Sequence, residues 1–381
     1  MEIEPLAALR RRESVKWRAY PGDVLPLFVA EMDYPVAEPI REAIAARVAA
    51  SDLGYAFAPG RMGAAFAGFA ERHWGWAVDP AAVRTTTDVS VAIVETLRRA
   101  IRPGDGVVIT PPIYPPFFDL VPEAGGRVVE VPLLDDGTAW DLDVEGISAA
   151  LVNGARAVLI ANPHNPLGML SRRLGELAEV AARHGAVVVS DEIHAPLVHA
   201  GETFTPFLSV SDAARAVGVT VTSASKAFNI AGTKCALMVA GSAATLALLD
   251  GMWDEVTFRT SLLGLHANLA AFECGDAWLA DAVAEIEASS ARLVGLLAEH
   301  LPGVGYRPPA ASYLAWLDFR GLPEWGDDPA GLALTRGVAL NPGPTFGTQG
   351  RGFARLNLAC SADVLEEAVR RLAAAAPKMS P

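Results

Sequence analysis

A chain of 381 residues with 44 acidic against 31 basic side chains carries a formal charge of −13, which repels nucleic-acid phosphates and anionic lipid and leaves small molecules as the expected partners. With 51% hydrophobic and 20% charged residues it has the material for a large buried core, expected as two domains, and excludes a disordered chain. Three scattered cysteines, Cys235, Cys274 and Cys360, form no C-x-x-C pair, so neither a zinc site nor a disulfide framework is expected. That thiol usage, an N-terminal stretch without an apolar signal core, and no run near ~20 apolar residues point to the cytoplasm.

The first forty-odd residues hold Pro21, Pro26, Pro35 and Pro39 and little periodicity, which predicts irregular chain wrapping across the lobes. Beyond them, residues 84–90 (Arg-Thr-Thr-Thr-Asp-Val-Ser) lead into a helix predicted over 91–101. The free amides at a helix start favour anions, which makes Val89 and Ser90 candidates for a phosphate site; Asp88 or Ser90 can equally serve only as a cap. A Val/Ile-rich strand at 106–110 is followed by Tyr114, placed to stack on a flat ring or to be an ordinary loop tyrosine. Further short apolar strands are predicted at 127–131, 155–161, 186–190, 219–222 and 236–240, with a helix at 171–184. This alternation is that of a mainly parallel, doubly wound sheet covered on both faces.

In such a sheet the ligand crevice lies beyond the carboxyl ends of the strands. The strand at 155–161 runs into Asn162-Pro163-His164-Asn165-Pro166-Leu167-Gly168, which presents the Asn162 amide there. The strand at 186–190 ends in Asp191-Glu192-Ile193-His194. A buried carboxylate at 191 needs a cation, which a protonated pyridine nitrogen supplies, and His194 is within reach of a hydroxyl on the same ring. The strand at 219–222 runs into Ser223-Ala224-Ser225-Lys226. A lysine flanked by apolar chain is readily deprotonated and becomes an imine-forming nucleophile, while the serines and Lys234 suit a phosphate. Alone, that motif reads equally as a turn with a solvated lysine; the neighbouring acid and amide decide for the cofactor. After a long helix at 277–300 the chain turns to isolated strands and a final helix, a smaller α+β lobe. There Arg355, in an apolar strand over 352–358, suits bidentate capture of a carboxylate or a structural ion pair.

Asn162, Asp191, Lys226 and Arg355, in this order and spacing, resemble the aspartate aminotransferase superfamily, fold type I of the pyridoxal 5′-phosphate (PLP) enzymes, over nearly the whole chain. LPLFVAEMDYP (25–35), NPHNPLG, SDEIHAPLV, SASKAFNIAG and FARLN are similar to the MalY/PatB group of cystathionine β-lyases. The resemblance implies an α/β fold with a mainly parallel seven-stranded sheet between helices in a large domain (44–276), and a smaller α+β domain (1–43 and 277–381). It implies that Lys226 holds PLP as an imine and acts catalytically together with Tyr114, which stacks on the ring, and that Asp191 pairs the ring nitrogen. It further implies that Asn162 and His194 contact the ring oxygen, that Val89, Ser90, Ser223, Ser225 and Lys234 bind phosphate, and that Arg355, with Asn162, binds the substrate carboxylate. Tyr55 would reach the phosphate of a second subunit, making a homodimer. The implied activity is α,β-elimination from L-cystathionine or related cysteine S-conjugates. Amino transfer to a 2-oxo acid is the rival, and a regulatory binding role a lesser one. Three departures fall where the resemblance places the substrate channel: Glu31 and Tyr34 where the group usually has Asp and Phe, Met169-Leu170-Ser171 where it has Arg-Val-aromatic, and Leu167 for a small or β-branched residue.

Overall fold

Seven short strands organise the larger of two compact units: β1 (Val83–Thr86), β2 (Gly106–Ile109), β3 (Arg127–Glu130), β4 (Ala155–Ala161), β5 (Val187–Asp191), β6 (Gly218–Thr222) and β7 (Ala236–Ala240). The computed structural model describes residues 3–57 and 60–374, so the outermost residues of the expected small domain, 1–2 and 375–381, lie outside the described residues. The larger unit comprises Val36–Asn165 and Met169–Leu279, the smaller Met1–Pro35, Pro166–Gly168 and Ala280–Pro381.

The sheet order is β1-β7-β6-β5-β4-β2-β3, with every pair from β6 to β3 parallel and β7 antiparallel to both neighbours. Every residue of β2, β6 and β7 is buried, because helices cover both faces and leave no side for alternating polar residues. Strands β2, β4, β5 and β6 therefore all deliver their carboxyl ends to one edge of the sheet. Among the covering helices, Val89–Ala100 turns Val89, Ala92, Ile93 and Leu97 into the core, and Asp88 caps its start by accepting from Val91 N at 3.0 Å. That cap starts the helix two residues earlier than the apolar pattern predicts. The edge strand β1 has no counterpart among the predicted strands, since Val-Arg-Thr-Thr is short, half-buried and without an apolar run.

The smaller unit is built on an antiparallel sheet of β8 (Gly305–Tyr306), β9 (Leu314–Asp318), β10 (Asn341–Pro342) and β11 (Phe353–Asn357), in the order β8-β9-β11-β10. All five residues of β11 are buried, Arg355 included. Residues 166–168 join this unit. Ala310 N donates to Gly168 O at 3.2 Å, and a Cβ on Gly168, whose φ is +61°, would sit 2.3 Å from the Ala311 carbonyl oxygen, so only glycine fits. Beside it, Leu167 packs on the buried rings of Trp316, Phe346 and Phe353.

The N-terminal segment is more ordered than its prolines suggest. Leu6–Leu9 and Val15–Arg18 are short helices, and Leu25–Pro26 pairs in parallel with Val338–Ala339. Residues 27–33 are then laced to the smaller unit through Leu27 N to Ala339 O, Asn357 N to Leu27 O and Asp33 N to Ala359 O, each at 2.9 Å. The helix Glu38–Ala49 corrects the expectation of irregular chain: Pro39 stands in its first turn, where the missing N–H has no intrahelical acceptor anyway. Inside this segment Lys16 Nζ meets Asp33 Oδ1 at 2.8 Å and donates to Glu31 O at 3.1 Å; the Lys16 and Asp33 side chains are each 1% exposed.

Candidate active site

The site is assembled from residues at and just beyond the carboxyl ends of the parallel strands. Asp191 is the last residue of β5, and its carboxylate is shielded from solvent. Burial pushes its pKa up to about 7, against the lowering effects of the Ile193 N–H, which donates to Oδ1 at 3.1 Å, and of the Lys226 charge. Lys226, four residues past β6, is thus within electrostatic reach of Asp191. Asn162 follows β4, which pairs with β5 in a register that sets Ala161 against Asp191, and Asn162 N donates to Asp191 O at 2.9 Å. The buried His194 comes next along the same turn and opens the one-turn helix Ala195–Leu197.

Sequence reasoning gave Glu192 no role, yet it organises this edge. Its Oε1 accepts from Ser190 Oγ at 2.9 Å, Phe207 N at 2.8 Å and Asn162 Nδ2 at 3.4 Å, while Oε2 is buried without a hydrogen-bond partner. Desolvation pushes its carboxyl up to about 8, with the neighbouring Asp191 adding to the rise. Asn162 Nδ2 also donates to Thr205 O at 3.1 Å, so both amide hydrogens point to protein acceptors.

A second cluster gathers the predicted phosphate ligands. Val89 and Ser90 open the helix Val89–Ala100, and Lys234, in a left-handed backbone conformation with φ +61°, extends Nζ to within 3.0 Å of Asp88 Oδ2. The antiparallel pairing of Ala236 with Thr86 brings these segments side by side. Ser223 Oγ donates to Cys235 O at 2.6 Å and accepts from Ser225 N at 3.0 Å, which joins the Lys226 turn to the Lys234 turn. Tyr114 stands five residues past β2, half-buried and edge-on to Phe117 at 5.7 Å.

Tyr55 and Arg355 complete the predicted set. Tyr55 is 88% exposed in the larger unit. Arg355 belongs to the smaller unit, where Nη2 donates to Phe28 O at 3.1 Å and the guanidinium lies 5.1 Å from the Phe346 ring centre. Two further residues escaped sequence reasoning. His164 joins the loops after β4 and β2 through Nε2 to Thr110 O at 3.4 Å, and Asn268 is a fully buried amide in the helix Leu262–Cys274. For Asn268 there was a signal, the single amide in LLGLHANLAAF; its partner was not legible.

The donor set fits a phosphorylated pyridine aldehyde. A buried carboxyl whose ionisation is held back by desolvation is stabilised by meeting a cationic ring nitrogen. A nearby lysine offers an amine for an imine, and helix-start amides with serines and a lysine suit a dianion.

The fold and these strand-end groups define a vitamin B6-type transferase fold, and the chain belongs to the aminotransferase class I and II family, whose profile it matches over residues 38–372. Within that family it is similar to the cystathionine beta-lyase of Corynebacterium glutamicum, 34% identical over 98% of this chain and 99% of that one. It is equally similar to cystathionine beta-lyase PatB of Bacillus subtilis, 34% identical over 95% and 96%. A crystal structure from Corynebacterium diphtheriae, provisionally named a PLP-dependent beta-cystathionase, superposes with a TM-score of 0.92 at 34% identity over 98% of both chains.

Proposed function

We propose that this protein is a PLP-dependent carbon–sulfur β-lyase that cleaves L-cystathionine or related cysteine S-conjugates to pyruvate, ammonia and a thiol. The observation that carries the reading is that the buried Asp191, at the carboxyl end of β5, lies within reach of the Lys226 charge, in a chain whose relatives, covered nearly end to end, are named cystathionine beta-lyases. Bound PLP supplies an electron sink for negative charge at the substrate α-carbon.

The chain's own groups do the rest. Lys226 Nζ would be the amine that holds PLP and, when free, the base that takes the substrate α-proton. The Asp191 carboxylate keeps a proton on the ring nitrogen. Asn162 and His194 hold the ring oxygen, and Tyr114 stacks on the ring and assists the proton transfers. Val89, Ser90, Ser223, Ser225 and Lys234 fix the phosphate, and Arg355 with Asn162 takes the substrate carboxylate. With the α-proton gone, the Cβ–S bond breaks, the sulfur leaves with the electron pair, and water releases ammonia and pyruvate from the three-carbon remainder.

The working form is a homodimer in which Tyr55 of one copy reaches the phosphate held by the other. Exposed Leu53, Tyr55, Phe57, Trp253 and Phe258 support this, with Phe57 and Phe258 lining a cavity of about 580 Å³. The free thiols Cys235, Cys274 and Cys360 support a cytoplasmic location, and no described helix is long and apolar enough to cross a membrane.

The test is incubation of the purified protein with L-cystathionine and no 2-oxo acid. Pyruvate and thiol in equal amounts are expected. Turnover that appears only on adding 2-oxoglutarate would replace the lyase by an aminotransferase, and absence of turnover with bound PLP would favour a binding role.

A further inference from the structure

We infer that Asn268 is a positioning residue for the imine-forming lysine: its side-chain carbonyl fixes the turn between β6 and Lys226 from a helix that also grips the Lys234 end of the same loop. The inference rests on the reading of Lys226 and Lys234 as PLP ligands.

Asn268 is fully buried. Its Oδ1 accepts from Ala224 N at 2.9 Å, with Ser223 Oγ 3.4 Å away, and its Nδ2 donates to Gly264 O at 2.9 Å. The bond to a helix carbonyl settles the amide's orientation, since only the nitrogen can face Gly264 O and only the oxygen can face the Ala224 N–H. Ser223 Oγ then turns to Cys235 O, and Ser225 N points back to Ser223 Oγ. Each residue between β6 and Lys226 is therefore held by this one amide or by the serine it adjoins.

The same helix meets the far end of the loop one turn earlier. A Cβ on Gly264 would lie 2.2 Å from Thr233 O and 2.9 Å from the Lys234 carbonyl carbon, and Ser261 N donates to Lys234 O at 3.1 Å. Close approach at Gly264 and hydrogen bonding at Asn268 thus preset the two lysines from a single rigid element. A purely structural amide would support the fold. A positioning amide also sets how Lys226 Nζ meets the cofactor's aldehyde carbon and how Ser225 and Lys234 meet its phosphate.

The experiment compares full-length wild type, Asn268→Leu, which removes the acceptor at similar volume, and Asn268→Asp, which keeps an oxygen toward Ala224 N. Three quantities are read: the PLP dissociation constant, the pH titration of the imine absorbance, and the melting temperature of the cofactor-free protein. Asn268→Leu should weaken PLP binding on the order of tenfold or more and displace the imine titration, with Asn268→Asp recovering most of both. Wild-type PLP affinity and titration in Asn268→Leu would overturn the proposal, as would equal losses in both variants. If Asn268→Leu does not fold, Gly264→Ala decides: its methyl presses on the Thr233 carbonyl, so weakened PLP binding supports the helix's role and unchanged binding overturns it. Failure of wild type to take up PLP would instead refute the cofactor reading.

Discussion

Two regions of this molecule bury carboxylates; desolvation raises the pKa of the acids in both, but the fold sets Lys16 and Arg12 against it in one and far less positive charge in the other. In the smaller unit Asp33 is met by Lys16 at 2.8 Å, with both side chains 1% exposed and the ammonium also bonded to Glu31 O. In the larger unit Asp191 and Glu192 are adjacent buried acids, with carboxyls pushed up to about 7 and about 8 by desolvation and only Lys226 exerting an opposing charge on the first. A buried charge supplied with its counter-ion by the fold holds chain together. Buried acids left short of positive charge at a strand edge are poised for an outside cation.

Deleting one ammonium from each region tests the contrast. Lys226→Ala should lower lyase turnover on the order of 10³-fold or more, abolish the imine absorbance, and leave the melting temperature of the cofactor-free protein nearly unchanged. Retention of full turnover would break the comparison on the catalytic side. Lys16→Met leaves Asp33 buried and unpaired, and denaturant titration should show a loss of about 3–5 kcal/mol in stability. Adding Asp33→Leu should return much of that loss; if the single variant unfolds at the wild-type denaturant concentration, the pair is not structural.

Next in size is a contrast between neighbours. Asp191→Asn keeps shape but no longer holds a proton on the ring nitrogen, and kcat should fall about 10²–10³-fold. Glu192→Gln keeps an acceptor for Ser190, Phe207 and Asn162 and should cost far less turnover, its effect appearing in stability. Because the folded pKa of Glu192, about 8, lies above its ordinary 4.5, the native protein keeps a proton that the unfolded chain releases. Stability is therefore lost as pH rises from about 4.5 through about 8. The melting-temperature advantage of Glu192→Gln should grow over that window, and an advantage independent of pH would assign Glu192 no titration there.

How much the sequence discloses depends on the range of the physics involved. Strands β4 and β7 match their predicted limits at both ends, because a strand covered on both faces is an apolar run, interrupted in β4 only by the exposed Arg156. Asn162, Asp191 and Lys226 could be grouped in advance since strands running the same way deliver their ends to one edge. The helix Glu38–Ala49 was hidden behind Pro39, a residue that breaks a helix anywhere except in its first turn. Glu192 was visible as a residue but not as a hub, because its partners Asn162 and Phe207 come from other loops. Asn268 and His164 bond chain 44 and 54 positions away, and no local pattern records such a partner.

The smallest effect concerns His164, which combines the two behaviours. It is 1% exposed and pairs with the fold through Nε2 and the Thr110 carbonyl, yet its Nδ1 is buried without a partner. The proton sits on Nε2, the nitrogen that faces a carbonyl, and desolvation lowers the pKa to about 4. The sign is opposite to that of Glu192: between pH 6.5 and 4 the unfolded chain takes up a proton that the native imidazole refuses, so stability falls as the medium acidifies. One proton is involved, so the slope contributed is at most about 1.4 kcal/mol per pH unit. His164→Gln retains a nitrogen donor toward Thr110 and cannot titrate. Its melting temperature should decline less than wild type between pH 6.5 and 4, and parallel declines would show that the imidazole is already protonated in the native protein or accessible to solvent. A flatter profile would place His164 with Lys16 and Asp33, among buried groups whose work is to join chain segments, although it sits on the loop that carries Asn162.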